Sequence, residues 1–149
     1  MYAKILIATD GSDVAARGLE QGLALAKALG SAVTIVTATE PAAIVGGGYA
    51  SIAGTGVDVL PELMQAQQES ADKLLTDAKA AAAAAGLAAA TARVDDSFPA
   101  EAIVATAEKI GADLIVMGSH GRRGVSRVLL GSQASNVLTH TKVPVLVVR

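Results

Sequence analysis

The sequence has no cysteine and no tryptophan, and its aromatic residues are confined to Tyr2, Tyr49 and Phe98. Without thiols, a disulfide scaffold, thiolate catalysis and cysteine-ligated zinc ribbons are excluded. Scattered aromatics supply no stacking platform for single-stranded nucleic acid. A charge excess of one sign is also missing. Lys and Arg number 12 against 14 Asp and Glu, for a formal charge of -2, so nothing global draws the chain to nucleic acid or anionic lipid. Any polyanion site has to be local. Long apolar runs are absent too: MYAKILIATDG holds only a short apolar stretch after Lys4, too little for a signal-peptide core. The alanine-rich segment from Ala80 to Ala92 is weakly apolar and broken by Gly86, whereas a membrane helix needs about 20 strongly apolar residues. A cytoplasmic protein without membrane insertion is expected.

What is present is apolar pattern. The chain has 149 residues and is 52% hydrophobic, enough for one domain over residues 1–149 with a core that needs no metal or disulfide. The run AKILIATD, Ala3 to Asp10, is nearly continuous in apolar residues, as in a strand buried on both faces. Ala15, Gly18, Leu19, Gly22, Leu23, Ala26 and Leu29 then recur at helical spacing, with Gly30 as the stop. Ser31 to Thr39 is rich in β-branched residues and reads as a second strand. Glu40 to Val59 has neither period and contains Gly46 to Gly48, which predicts a mobile loop. From Pro61 a long helix runs through Leu63, Met64, Gln67, Ala71, Leu74, Leu75 and Ala78.

A weaker third strand follows at Leu87 to Asp96. Ser97 and Pro99 open a helix that Gly111 closes. ADLIVMGS, Ala112 to Ser119, is a fourth buried strand. Ser132 is expected to cap a short helix reaching His140, and VPVLVVR makes a fifth strand. The alternation predicts an α/β, Rossmann-like fold: an open five-stranded parallel sheet in the order 3-2-1-4-5 with helices on both faces.

In such sheets ligands sit beyond the carboxyl ends of strands, where the winding reverses. That brings the turn ATDGS, Ala8 to Ser12, beside the stretch MGSHGRRGVSRVLLGS, Met117 to Ser132. The latter runs from a strand end to a helix start, where backbone N–H groups and the helix dipole favour an anion. Arg122, Arg123 and Arg127 add local positive charge. Neither GxxxxGK[ST] nor GxGxxG occurs. The spacing is G-x2-G-x9-G-S instead, at Gly118, Gly121, Gly131 and Ser132. His120 lies inside it; a solvated loop histidine is the competing reading. His140 reads as a helix-dipole partner, and the spacing of the two histidines makes no metal site.

With ATDGS near the start and VPVLVV at the end, this spaced-glycine motif resembles the ATP-binding branch of the universal stress protein family over the whole chain. The resemblance implies that Ala8, Thr9 and Asp10 hold adenine and ribose, with Asp10 on a ribose hydroxyl, and that Ala38 lies against adenine. Met117 and Gly118 would flank the nucleoside. Ser119, His120, Gly121, Arg122 and Arg123 would wrap the phosphates, and Gly131, Ser132, Gln133 and Ala134 would bind them at the helix start. Ala8 and Thr37 depart from the proline and histidine common in the family. The implied cofactor is ATP, with Mg or Mn held mainly by its phosphates. The implied assembly is a homodimer through the C-terminal strand, acting as a nucleotide-occupied regulator on an unknown partner protein. ATP, AMP and cyclic AMP share the adenosine and are not separated by these residues. The alternatives are a slow ATPase or autophosphotransferase in the same pocket, with only His120 or Asp13 as a base and Ser126 as an acceptor hydroxyl, and a flavin-binding domain on a related scaffold.

Overall fold

The computed structural model describes residues 1–49, 59–121 and 130–149. Five strands, β1 (Lys4–Ala8), β2 (Ala32–Ala38), β3 (Ala89–Val94), β4 (Leu114–Gly118) and β5 (Val145–Val148), pair in parallel as β3-β2-β1-β4-β5. The expected order is the one observed. Between them lie α1 (Asp13–Leu29), α2 (Ala42–Tyr49), α3 (Leu60–Ala84), α4 (Pro99–Ile110) and α5 (Ser132–His140).

Alternation along the central strand divides the core. Ile5 and Ile7 meet Leu23 and Ala26 of α1 and Leu75, Ala78 and Ala82 of α3 on one face. Leu6 and Ala8 meet Ala100, Ile103 and Ala107 of α4 and Ala134 and Val137 of α5 on the other. Successive strand side chains point to opposite faces, so α1 and α3 cover one side and α4 and α5 its reverse. The change of side falls between β1 and β4. Neighbouring connections diverge there and leave a crevice at the carboxyl end of the sheet.

The α1 helix can lie this close because Gly18 and Gly22 face the sheet. A Cβ on Gly18 would stand 3.3 Å from the Gly118 amide nitrogen, and one on Gly22 would stand 2.7 Å from Ile7 Cδ1. Glycine in mid-helix costs about 1 kcal/mol relative to alanine; here that loss is exchanged for close packing of helix on strand.

Three local expectations are corrected. Residues 42–49 of the segment read as a mobile loop form α2, whose first N–H, at Ala42, donates to Asp96 Oδ1 at 2.8 Å. Three glycines and an unpatterned apolar sequence argue against a helix, but packing against α3 overrides weak local propensity. The rest of that segment, residues 50–58, lies outside the described residues. Ser132 is not the cap of α5: Gly131 occupies that position and Ser132 is the first helical residue. Likewise Phe98, not Ser97, precedes α4, and no side chain of its own caps it. Ser12 does cap α1, accepting from the Ala15 N–H at 3.2 Å. His140 Nδ1 donates to the Asn136 carbonyl at 2.8 Å, in the last turn of α5 where a cationic partner suits the dipole. Among the described residues no helix is long and apolar enough to cross a membrane.

Asp113 anchors the beginning of the sheet. Its carboxylate accepts from the N–H groups of Ala3 at 2.8 Å and Lys4 at 3.0 Å, and its own N–H donates to the Lys4 carbonyl at 2.9 Å. Desolvation pushes the carboxyl up, but the N–H groups of Lys4, Ala3 and Asp113 itself outweigh it and hold the group below its ordinary value. A carboxyl more acidic when folded stabilises fully above its unfolded pKa of about 3.9, and that contribution disappears as pH falls through the folded value. Thermal melts should therefore show Asp113→Ala less stable than wild type near neutrality, with the gap closing on acidification below about pH 4. A gap independent of pH would contradict this.

Candidate functional site

The turn after β1 is built by its own side chains. Thr9 continues the parallel ladder by donating to the Val36 carbonyl at 3.0 Å. The Ser12 N–H donates to Asp10 Oδ1 at 2.9 Å, and the Gly11 N–H to Thr9 Oγ1 at 3.4 Å. Gly11 takes φ +79°, a conformation glycine adopts without steric cost. This Asx-type turn holds the Asp10 carboxylate at the carboxyl end of the sheet.

Opposite it, β4 ends in Gly118. The Ser119 N–H donates to the Val148 carbonyl at 2.7 Å, and the Gly131 N–H donates to the Ser119 carbonyl at 2.8 Å. These two bonds pin the base of the loop that leads into α5. Gly121 faces Asp10: a Cβ there would lie 2.9 Å from Asp10 Oδ2. A Cβ on Gly131 would lie 2.8 Å from the Ser119 carbonyl oxygen and 3.2 Å from His120 Cα. Gly131 is thus required by close approach of backbone, whereas the contact at Gly121 is with the end of a side chain that can move aside.

A cavity of about 820 Å³ opens where these turns meet, a size usual for small-molecule sites. It is lined by Ala8, Thr9, Asp10, Ala38, Met117, Gly118, His120, Gly121, Gly131, Ser132, Gln133 and Ala134. Ser119 lies just behind this wall, 2% exposed. Arg122 and Arg123 fall outside the described residues, as do Ser126 and Arg127.

Toward β2 and α3 the wall includes apolar Val36, Ala38, Ala71 and Leu74, with Met117 of β4 beside them. Toward β4 and α5 it is backbone and small residues. Gly131 has no side chain to cap α5, so among the described residues the first-turn N–H groups of a helix end lie beside the cavity, where an anion is favoured. The start of α4 also borders it through Phe98 and Pro99. Gln133 also ties two helices together, since its Oε1 accepts from the Ala100 N–H at 3.1 Å and so caps α4 from α5. His120 is no solvated loop residue. Its Nδ1 pairs with Ser119 Oγ at 2.8 Å, and its Nε2 is buried without a hydrogen-bond partner among the described residues.

Sequence reasoning missed the α3 wall. Gln67, Ser70, Ala71 and Leu74 line the cavity at i, i+3, i+4 and i+7, the spacing of one helical face. The signal was two polar residues on an otherwise apolar stripe. The Gln67 side chain accepts from the Glu40 N–H at 3.0 Å. Nearby, Thr39 Oγ1 donates to Asp95 Oδ1 at 3.2 Å. Arg93 grips Asp95 with two nitrogens, at 2.9 and 3.0 Å, and Asp72 of α3 with a third at 2.6 Å. The hydrogen bonds of Asp95, then those of Asp72, raise the arginine above its ordinary value, and the fork fixes α3 against β3. Among the described residues no cluster of three or more His, Asp or Glu side chains is placed to hold a metal ion.

The universal stress protein family model matches residues 1–149. A universal stress protein of Thermus aquaticus is 36% identical over 149 residues, covering 100% of both chains. A solved structure of a universal stress protein from Methanocaldococcus jannaschii superimposes with a TM-score of 0.82 at 30% identity, covering 99% of this chain and 96% of that one. A universal stress protein solved in complex with cAMP matches with a TM-score of 0.68 at 29% identity, over 99% of this chain and 97% of that one.

Proposed function

Because the chain belongs to the universal stress protein family, we propose that it binds an adenine nucleotide, ATP foremost, in the cavity between the β1 turn and the start of α5. The observation that carries the reading is Gly131, where any side chain would strike the Ser119 carbonyl 2.8 Å away. Gly131 itself offers the helix start no side-chain cap, and free N–H groups at such a start favour a phosphate. The cAMP complex of a relative agrees with an adenosine-shaped site.

In this reading adenine lies against Ala38 and Met117, and Asp10 accepts a hydrogen bond from a ribose hydroxyl. The N–H groups of Ser132, Gln133 and Ala134 meet phosphate oxygens at the positive end of α5. Thr9 and Gly118 border the nucleoside, while Gly121, Arg122 and Arg123 complete the phosphate side. A divalent ion enters with the nucleotide, held by its phosphates. Titration calorimetry with ATP, AMP, cAMP and adenosine tests this: ATP should bind at one site per chain and at least about tenfold tighter than adenosine. No binding of any of the four would sink the reading.

The same proposal makes the protein a cytoplasmic homodimer that acts, nucleotide-occupied, on another protein. Supporting the dimer, β5 is the last strand of the sheet, and Leu146 on it and Leu138 on α5 are exposed; such an edge invites pairing with a second copy. A monomer mass at every concentration in sedimentation would remove the dimer.

A further inference from the structure

The wall that α3 presents to the cavity carries an amide whose direction is fixed. Gln67 is half-buried and lines the cavity on the same helical face as Ala71 and Leu74. Its Oε1 accepts from the Glu40 N–H at 3.0 Å. Glu40 lies just beyond β2, and Ala38, the last residue of that strand, lines the cavity as well. The two ends of a carboxamide are nearly alike in shape, so hydrogen bonds decide which is oxygen. A backbone N–H needs an acceptor, and the Glu40 bond therefore rules out the flipped amide. A carbonyl oxygen has two lone pairs and an amide nitrogen two hydrogens. Among the described residues one lone pair of Oε1 and both hydrogens of Nε2 are unused.

An acceptor and a donor side by side, in a set order, complement one purine edge. Adenine presents its N6 amino donor beside the N7 acceptor, and a glutamine amide meets the two with a bidentate pair. Guanine and hypoxanthine carry an oxygen at C6 instead, which would stand against Oε1. A glutamine free to flip escapes that conflict, but this one is held by Glu40. We propose that Gln67 selects adenine over 6-oxopurines, its Oε1 accepting from N6–H while its Nε2–H donates to N7. The proposal rests on the nucleotide reading above and deepens it. Apolar contact with Ala38 and Met117, and the bond of Asp10 to ribose, leave the substituent at C6 unread; Gln67 reads it.

Calorimetry with ATP, ITP and 7-deaza-ATP on wild type, Gln67→Leu and Gln67→Glu provides the test. ITP has an oxygen in place of the N6 amine, and 7-deaza-ATP has C–H in place of N7. All three ligands carry the same phosphates, so affinity ratios within one protein isolate the base. Wild type should bind ATP at least about fivefold tighter than ITP, the lower end for a bidentate pair. It should prefer ATP to 7-deaza-ATP by about fivefold, the scale of one hydrogen bond. Gln67→Leu should weaken ATP by at least about fivefold while ITP holds or gains, so that both preferences fall toward one. Gln67→Glu keeps an oxygen for the Glu40 N–H and for N6–H but sets a second oxygen against N7, so 7-deaza-ATP should overtake ATP. A Gln67 that only braces α3 against the end of β2 would weaken all three ligands alike in both variants, and that result overturns the proposal. Equal affinity of wild type for ATP and 7-deaza-ATP overturns it too. A wild type that binds no nucleotide overturns the nucleotide reading with it; a wild type whose ATP binding is indifferent to both substitutions overturns this proposal alone.

Discussion

Gly131→Val should weaken ATP binding by at least about 100-fold, or about 2.7 kcal/mol, while leaving the sheet assembled. The new Cβ would meet the Ser119 carbonyl oxygen at 2.8 Å and His120 Cα at 3.2 Å. Both are backbone atoms, with no rotamer that moves them aside. The struck oxygen is also the acceptor for the Gly131 N–H at 2.8 Å, so relief of the clash displaces the base of the loop together with the first turn of α5. Those are the N–H groups assigned to phosphate. The rest of the fold has its own support, because Ala134 and Val137 still face the core under α4. Calorimetry with ATP, alongside far-ultraviolet circular dichroism, separates lost binding from lost folding. Wild-type affinity in the variant would mean that phosphate does not sit at this helix start.

Gly118→Val should act on stability. A Cβ at Gly118 would approach Val14 Cγ1 to 3.0 Å, and the Ala15 nitrogen and Val14 carbonyl carbon to 3.2 Å each. Gly18 on the same helix is likewise close to the Gly118 amide. The first turn of α1 rests directly on the last residue of β4, and overpacking such a contact costs about 1–3 kcal/mol. With backbone on one side of the clash, the upper end applies, and the melting temperature should drop by roughly 5–10 °C for a domain of this size. A melting temperature within about a degree of wild type would show that α1 can shift without loss. Because Ser12 caps α1 within the Asp10 turn, any shift that does occur also displaces the nucleoside side of the cavity.

β1, β2, β4 and β5 were legible because each is a short apolar or β-branched run, while the alanine-rich β3 gave the weakest signal; α1 was legible because its small residues keep helical period. The same regularity located the crevice, since strand order alone brings the Asp10 turn to the Gly118 turn. Four things were not legible, for separate reasons. Residues 42–49 carry glycines and no apolar stripe, so their helix depends on α3 and on the Asp96 carboxylate, both distant in sequence. The α3 wall was hidden because Gln67 and Ser70 share a face with core residues, and only tertiary placement shows that this face meets a cavity. His120 reads as solvated wherever its surroundings are unknown; in the fold its Nδ1 pairs with the buried Ser119 hydroxyl. Gln133 was legible as a residue at a helix start, but its hold on Ala100 joins two helices that sequence spacing does not relate.

The most direct test of the central claim is mass spectrometry of the small molecules released on denaturing freshly purified protein, with Gly131→Val prepared in parallel. ATP released from wild type and absent from the variant is the predicted result. A wild type that releases no nucleotide and takes up none when ATP, AMP or cAMP is added would contradict it.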